Sequence, residues 1–191
     1  MKKLIIISFA LFMGAMDVAA QDSGREMYGN TLNISAGIGY SRYVGHSSPF
    51  VGLDYEVDVA RNFTLAPFIG YYSYQNTYYW GNPNKPFSDG SYRYYNYRET
   101  VVPLGLKGTY YFDELFSAGS NWDFYGGLSL GFNIRKRTWD NGYDGNQYGN
   151  QSASPLYLNG HIGSEYHFNQ KVGAFLDLST GVTSVGLGIH F

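Results

Sequence analysis

The most constraining stretch of this chain is Val182 to Phe191 (VTSVGLGIHF). Val185, Leu187, Ile189 and Phe191 fall on one face and Ser184, Gly186, Gly188 and His190 on the other, the period of a β-strand lying between two unlike surroundings. The apolar face runs to the terminal residue. The ends of soluble domains usually fray, whereas the closing strand of a membrane barrel must pair with the first strand to its end.

The same alternation recurs seven times upstream. From Thr31 to Tyr43, Leu32, Ile34, Ala36, Ile38 and Tyr40 oppose Asn33, Ser35, Gly37, Gly39 and Ser41. A turn at Gly45 to Pro49 leads to a second strand, Phe50 to Ala60, with Val51, Leu53, Tyr55, Val57 and Val59 opposite Asp54, Glu56 and Asp58. Three carboxylates on one face do not suit a protein core but suit a polar lumen. Arg61-Asn62 turns the chain into a third strand, Phe63 to Tyr74, whose parity is open: Leu65, Pro67, Ile69 and Tyr71 compete with Ala66, Phe68, Gly70 and Tyr72. Pro67 marks a bulge or a weak point in its ladder.

Further strands are predicted over Tyr97 to Phe112, Trp122 to Thr138, Pro155 to Phe168, Lys171 to Ser179 and Val182 to Phe191. Asn76 to Tyr95 and Trp139 to Ser154 are long loops of Asn, Gly, Tyr and other polar residues, and with the Gly45 to Pro49 turn they lie on one side. Arg61-Asn62 and Asn169-Gln170 are minimal turns on the other; Asp113 to Asn121, also on that side, is longer than such a turn. The outward faces carry almost no charge. The fold class expected is therefore all-β: an eight-stranded antiparallel up-and-down transmembrane β-barrel. A soluble lipocalin-like barrel would need the opposite polarity.

Met1 to Ala20 has the pattern of a secretory signal peptide: Lys2 and Lys3, the apolar run Leu4 to Met16, then Val18-Ala19-Ala20. Its apolar run is too short for a spanning helix. The expected organisation is a signal peptide over residues 1–20 and one barrel domain over 21–191, with cleavage after Ala20. The chain has no cysteine, which excludes a lipoprotein anchor, disulfides and thiolate metal sites. Removing residues 1–20 lowers Lys+Arg from 13 to 11 and Asp+Glu from 15 to 14, a net charge of −3 that gives no sign of nucleic-acid binding. The 20 Tyr and 13 Phe suit a protein with two water–lipid boundaries.

The signal peptide, the repeated hairpins, the segment Lys107-Gly108-Thr109-Tyr110-Tyr111-Phe112 and the terminal Gly188-Ile189-His190-Phe191 resemble those of small eight-stranded outer-membrane β-barrel proteins, the class of OmpX and of the N-terminal barrel of OmpA. The resemblance covers the whole chain after residue 20 and includes no catalytic motif. Unlike OmpA, this chain is expected to carry no peptidoglycan-binding domain after the barrel. The resemblance implies an outer-membrane location in a Gram-negative-type cell, contact with membrane lipid and lipopolysaccharide, insertion by the barrel assembly machinery with Phe191 as the assembly signature, and a monomer.

An eight-stranded barrel is just wide enough for its inward side chains to fill it. The inward set expected to form a polar lumen network is Asp54, Glu56, Asp58, Glu99, Lys107, Arg135, His161, Glu165, Asp177 and His190, with Asp123 and His167 on the same face. Lys107 and Arg135 are its expected counter-ions. Catalysis is not expected: His161 and Glu165 face inward while Ser164 faces outward, and one cannot activate another through the wall. No cofactor and no metal are expected, because His161, Glu165 and His167 span six residues of one strand, too far for one ion. Loop aromatics Tyr78, Tyr79, Trp80, Phe87, Tyr92, Tyr94, Trp139 and Tyr143 offer an adaptable surface for an extracellular ligand, or an aromatic girdle. The function expected is structural or surface-interactive; the alternatives are a narrow solute channel and a lipid-A-modifying enzyme.

Overall fold

Eight strands, each hydrogen-bonded to its neighbours in sequence and the last to the first, form a closed antiparallel barrel. They are β1 (Thr31–Tyr40), β2 (Ser47–Ala60), β3 (Phe63–Trp80), β4 (Arg93–Tyr111), β5 (Trp122–Trp139), β6 (Leu156–Asn169), β7 (Val172–Ser179) and β8 (Val182–His190). This computed structural model describes residues 30–40, 47–80, 93–112, 121–139 and 155–191. The signal-peptide reading therefore lies outside the described residues. Closure runs from Thr31↔His190 to Gly39↔Val182 along β1 and β8, and the Phe191 N–H donates to the Asn30 carbonyl at 3.1 Å. Asn30 and Asn62, the latter in the Arg61-Asn62 turn, take positive φ, 57° and 55°, which asparagine tolerates better than most residues.

Burial is inverted relative to a soluble domain. Thr31, Asn33, Glu56, Thr64, Glu99, Ser129, Asn159, Glu165 and Asp177 are buried, whereas Leu128, Leu158 and Ile162 are 65%, 66% and 64% exposed. Among the described residues, 24 large apolar or aromatic side chains are exposed. Keeping such a side chain in water forgoes about 1.5–3 kcal/mol, which two dozen of them could not sustain against a net stability of about 5–15 kcal/mol. The outer face is therefore built for hydrocarbon. Aromatic rings edge it on the turn side: Trp122 stands 5.0 Å from Tyr166 and 6.1 Å from Phe124, and Tyr110 5.2 Å from Phe112. Tyr40 and Tyr71 are exposed toward the opposite edge. Such paired girdles mark the two interfaces of a bilayer.

The open parity of the third strand resolves clearly. Thr64 and Ala66 are fully buried while Ile69 and Tyr71 are about half exposed, so the odd-numbered residues of β3 face lipid. No bulge forms at Pro67. The β2–β3 ladder instead skips the pairs that would join Tyr55 and Glu56 to Pro67 and Ala66, and the β3–β4 ladder skips those that would join Gly70 and Tyr71 to Pro103 and Val102, because proline has no N–H to give.

Several expected loop boundaries are corrected. Ser47 to Pro49, read as part of a turn, belongs to β2 and pairs with β1. Asn76 to Trp80 and Arg93 to Tyr95, read as loop, pair with one another from Asn76↔Tyr97 to Trp80↔Arg93, and Trp139 is the last residue of β5. Polar and aromatic composition suggested loops, but cross-strand pairing of Tyr, Thr and Trp carries the hairpins further. As a result β3, β4 and β5 outrun their neighbours. Among the described residues, β2 pairs with β3 only to Tyr72, and β6 pairs with β5 only to Phe132. A three-stranded sheet thus projects from the loop end of the barrel.

Candidate functional site

The inward residues gather into four clusters, two facing each other in the middle of the barrel and one toward each end. In the middle, Glu56 is buried at 3% exposure. It accepts hydrogen bonds from Asn33 Nδ2 at 3.1 Å, from Tyr111 Oη at 3.0 Å and from the Thr64 hydroxyl. Asn33 Nδ2 also donates to Asp54 at 2.8 Å, and Lys107 Nζ stands 3.5 Å from Asp54. A buried carboxylate persists only with such donors and a cation around it.

Across the lumen, His161 Nδ1 lies 2.9 Å from Asp177 Oδ1 and His161 Nε2 lies 2.8 Å from Ser129 Oγ. With the carboxylate able only to accept, a neutral ring carries its proton on Nδ1 and accepts from the serine at Nε2. Tyr125 donates to the second Asp177 oxygen at 3.2 Å. The connectivity is that of a serine–histidine–aspartate triad, which the sequence reading missed because its members come from β5, β6 and β7. A cavity of about 60 Å³ adjoins it, lined by residues that include Phe50, Lys107, Tyr157 and Phe175.

At the turn end, Glu165, His167 and His190 converge. His190 Nε2 is 3.0 Å from Glu165 Oε1 and its Nδ1 is 2.8 Å from Thr31 Oγ1. His167 Nε2 is 2.7 Å from Asp123, and the two imidazole rings stand 4.9 Å apart. Glycines make this convergence possible. A Cβ on Gly173 or Gly188 would lie 2.1 or 2.5 Å from Glu165 Oε1, so only bare backbone lets Glu165 of β6 cross β7 and reach β8.

At the loop end, both oxygens of Glu99 are held by arginines. Arg135 reaches Oε1 at 3.2 Å and Arg137 reaches Oε2 at 2.8 Å. The Arg137 guanidinium also lies 4.6 Å from the Tyr97 ring and 5.8 Å from the Trp139 ring. These groups lie on the inward face of the projecting sheet. Arg137 is not in the inward set expected from the sequence; its odd parity beside Arg135 was the available signal. Asp58 is half-buried on the inward face of β2. Of the expected loop aromatics, Trp139 ends β5, and the backbones of Tyr78, Tyr79, Trp80 and Tyr94 lie in β3 and β4, with their side chains outside the described residues. Phe87, Tyr92 and Tyr143 lie wholly outside them. Phe191 is 79% exposed on the outer face.

A closed, lipid-faced, eight-stranded barrel with a charged lumen defines the class of small outer-membrane β-barrel proteins. The chain belongs to the family described as outer membrane protein beta-barrel domain, which matches residues 21–186. It is a protein of the outer membrane. Among solved structures it is similar to Neisserial surface protein A, at 15% identity and a TM-score of 0.48 over 84% of this chain and 95% of that one. It is also similar to the attachment invasion locus protein Ail of Yersinia pestis in complex with the heparin analogue sucrose octasulfate, at 8% identity and a TM-score of 0.45 over 84% and 95%. The N-terminal barrel of Pseudomonas aeruginosa OprF matches at 14% identity and a TM-score of 0.41 over 86% and 97%. No curated protein sequence matches the chain.

Proposed function

We propose that this protein is a non-catalytic, side-chain-filled barrel that holds a projecting sheet above the outer membrane as a binding surface for extracellular ligands. The observation that carries this reading is the length mismatch of the strands: β3, β4 and β5 have 18, 19 and 18 residues, whereas β1, β7 and β8 have 10, 8 and 9. A strand of about 9–11 residues suffices to cross a bilayer, so the extra pairs serve something outside it. Among the described residues, the outer portions of β3 and β5 have no ladder partners on their far sides, and the inward face of the projection carries Tyr97, Trp139 and Arg137, residue types that anchor interfaces. Exposed Lys136 lies at the outer edge of the apolar band, where lipopolysaccharide phosphates are in reach. The protein acts as a monomer and is inserted by the barrel assembly machinery through the Phe191 signature.

The test replaces residues 77–96 by Asn-Gly, a turn that closes a hairpin in register and preserves the membrane ladder. Cells displaying the intact chain are expected to adhere to immobilised matrix proteins or sulfated glycans, and cells displaying the shortened chain to lose that adhesion. Equal adhesion by both, or none by either across such a panel, would sink the proposal.

A further inference from the structure

We propose that Glu165, His167 and His190 form a binding site for one divalent transition-metal ion, with zinc the best fit, at the turn end of the lumen. One ligand atom from each of the three lies within 4.8 Å of the other two. Two imidazoles and a carboxylate are a donor set that zinc takes with a fourth position left for water; calcium and magnesium prefer all-oxygen sets. The ligands come from β6 and β8, so the ion would tie together strands that flank β7 without pairing with each other.

The surroundings are those of a built site. Thr31 Oγ1 lies 2.8 Å from His190 Nδ1 and Asp123 stands 2.7 Å from His167 Nε2, placing an oxygen partner on each imidazole of the kind that fixes ring orientation at metal centres. Glu165 is 6% exposed and is seated against bare backbone at Gly173 and Gly188. Independently, Asn33 Nδ2 donates to both Asp54 and Glu56, which fixes its amide orientation. Its buried Oδ1 then has no hydrogen-bond partner, and that atom and Glu165 Oε1 both border the space above Gly188, 3.2 and 2.5 Å from an ideal Cβ there. A buried acceptor without a partner beside a carboxylate oxygen calls for a cation or a donor in that space. When the ion enters, the proton shared by His190 Nε2 and Glu165 leaves to solvent and the nitrogen lone pair becomes the ligand.

The test uses the full-length chain without a polyhistidine tag, refolded in detergent and titrated with zinc by calorimetry. One equivalent is expected to bind. His167→Ala and His190→Ala are each expected to weaken binding about tenfold or more, while His161→Ala, in the separate Ser129–Asp177 cluster, leaves it unchanged. Far-UV circular dichroism checks that each variant is folded. A second measurement needs no variant: zinc should protect His167 and His190 of the wild type from diethylpyrocarbonate, read by peptide mass, and leave the reactivity of His161 as it was. No saturable uptake by the wild type, uptake indifferent to both substitutions, or protection absent at His167 and His190 would overturn the proposal.

Discussion

Gly105 of β4 and Gly131 of β5 are direct cross-strand partners, and neither has room for a side chain. A Cβ on Gly105 would stand 2.1 Å from the Leu130 carbonyl oxygen, and one on Gly131 would stand 2.0 Å from that of Leu104. Backbone atoms cannot swing aside as a flexible side chain can, so the strands would have to part. Gly131→Ala is expected to cost about 1–3 kcal/mol, measured as a lowered urea midpoint in detergent. Gly160→Ala is the control, because its nearest contacts would be Leu128 and Thr180 methyl groups at 3.8 Å; its midpoint should stay within experimental error of the wild type.

Lys107 faces Asp54, with side-chain exposures of 11% and 17%, and the buried Glu56 shares Asn33 with Asp54. Removing the cation leaves carboxylates inside the barrel without it, and breaking a buried pair from one side costs about 3–5 kcal/mol. Lys107→Met should therefore destabilise strongly, and Lys107→Met combined with Asp54→Asn should recover much of the loss. Equal thermal stability of wild type and Lys107→Met would show that the pair has no structural role.

Leu130 is 58% exposed at the centre of the outward row of β5, between Leu128 and Phe132. In hydrocarbon, Leu130→Arg should cost about 2–4 kcal/mol, falling toward zero near the interfaces. Exposed Lys136, six residues along the same face, already carries a charge near the interface, so Lys136→Leu should change stability little. Refolding into lipid vesicles and unfolding with denaturant would measure both. A harmless Leu130→Arg would mean that this face meets water.

The alternation of β8 and the inward acids of β2 made the barrel and its polarity legible, because a period of two assigns every residue of a strand to a face once one face is known. The extension of β3 to Trp80 was not legible: Asn76 to Trp80 has the composition of a loop and becomes strand only through pairing with Arg93 to Tyr97. The convergence of Glu165 with His190 was hidden for a different reason. Spacing along β6 shows that His161 and His167 are far apart, but it says nothing of β8, and Gly188 reads as one more polar-face residue rather than as part of the clearance, with Gly173, that lets Glu165 cross. Likewise Ser129, His161 and Asp177 are brought together by the β5–β6 and β6–β7 registers, which sequence patterning cannot supply.

That trio makes a sharp test of whether the barrel does chemistry. Ser129 is 2% exposed, and the adjoining cavity of about 60 Å³ is small beside the roughly 300–1,000 Å³ of pockets that take small-molecule ligands, too little for an acyl chain or a tetrahedral adduct. The hydroxyl should therefore act as a brace for His161. Incubation with a fluorophosphonate serine probe is expected to leave the folded protein unlabelled, and Ser129→Ala should lower stability by about 1–3 kcal/mol through the imidazole partner it removes. Covalent labelling that disappears in Ser129→Ala would instead establish a reactive serine.

The lumen glycines argue that the barrel does not conduct. Phe50 lies against Gly52 and Gly70, Tyr125 against Gly163 and Phe175 against Gly186, each so close that a Cβ on the glycine would fall within 2.8 Å of the ring. The missing side chains thus give inward space to aromatic rings rather than to water, and Phe68 and Tyr157 pack at 5.3 Å in the same layer. With Lys107, Asp54, His161 and Asp177 in contact with one another or with these walls, a permeating ion would have to displace both rings and ion pairs, whose loss costs several kcal/mol each. Reconstituted wild-type protein in a planar bilayer should show a flat baseline under applied voltage. Uniform, reproducible conductance steps would require a continuous water path past Phe50 and Phe175, and would replace the filled-barrel reading with that of a narrow channel.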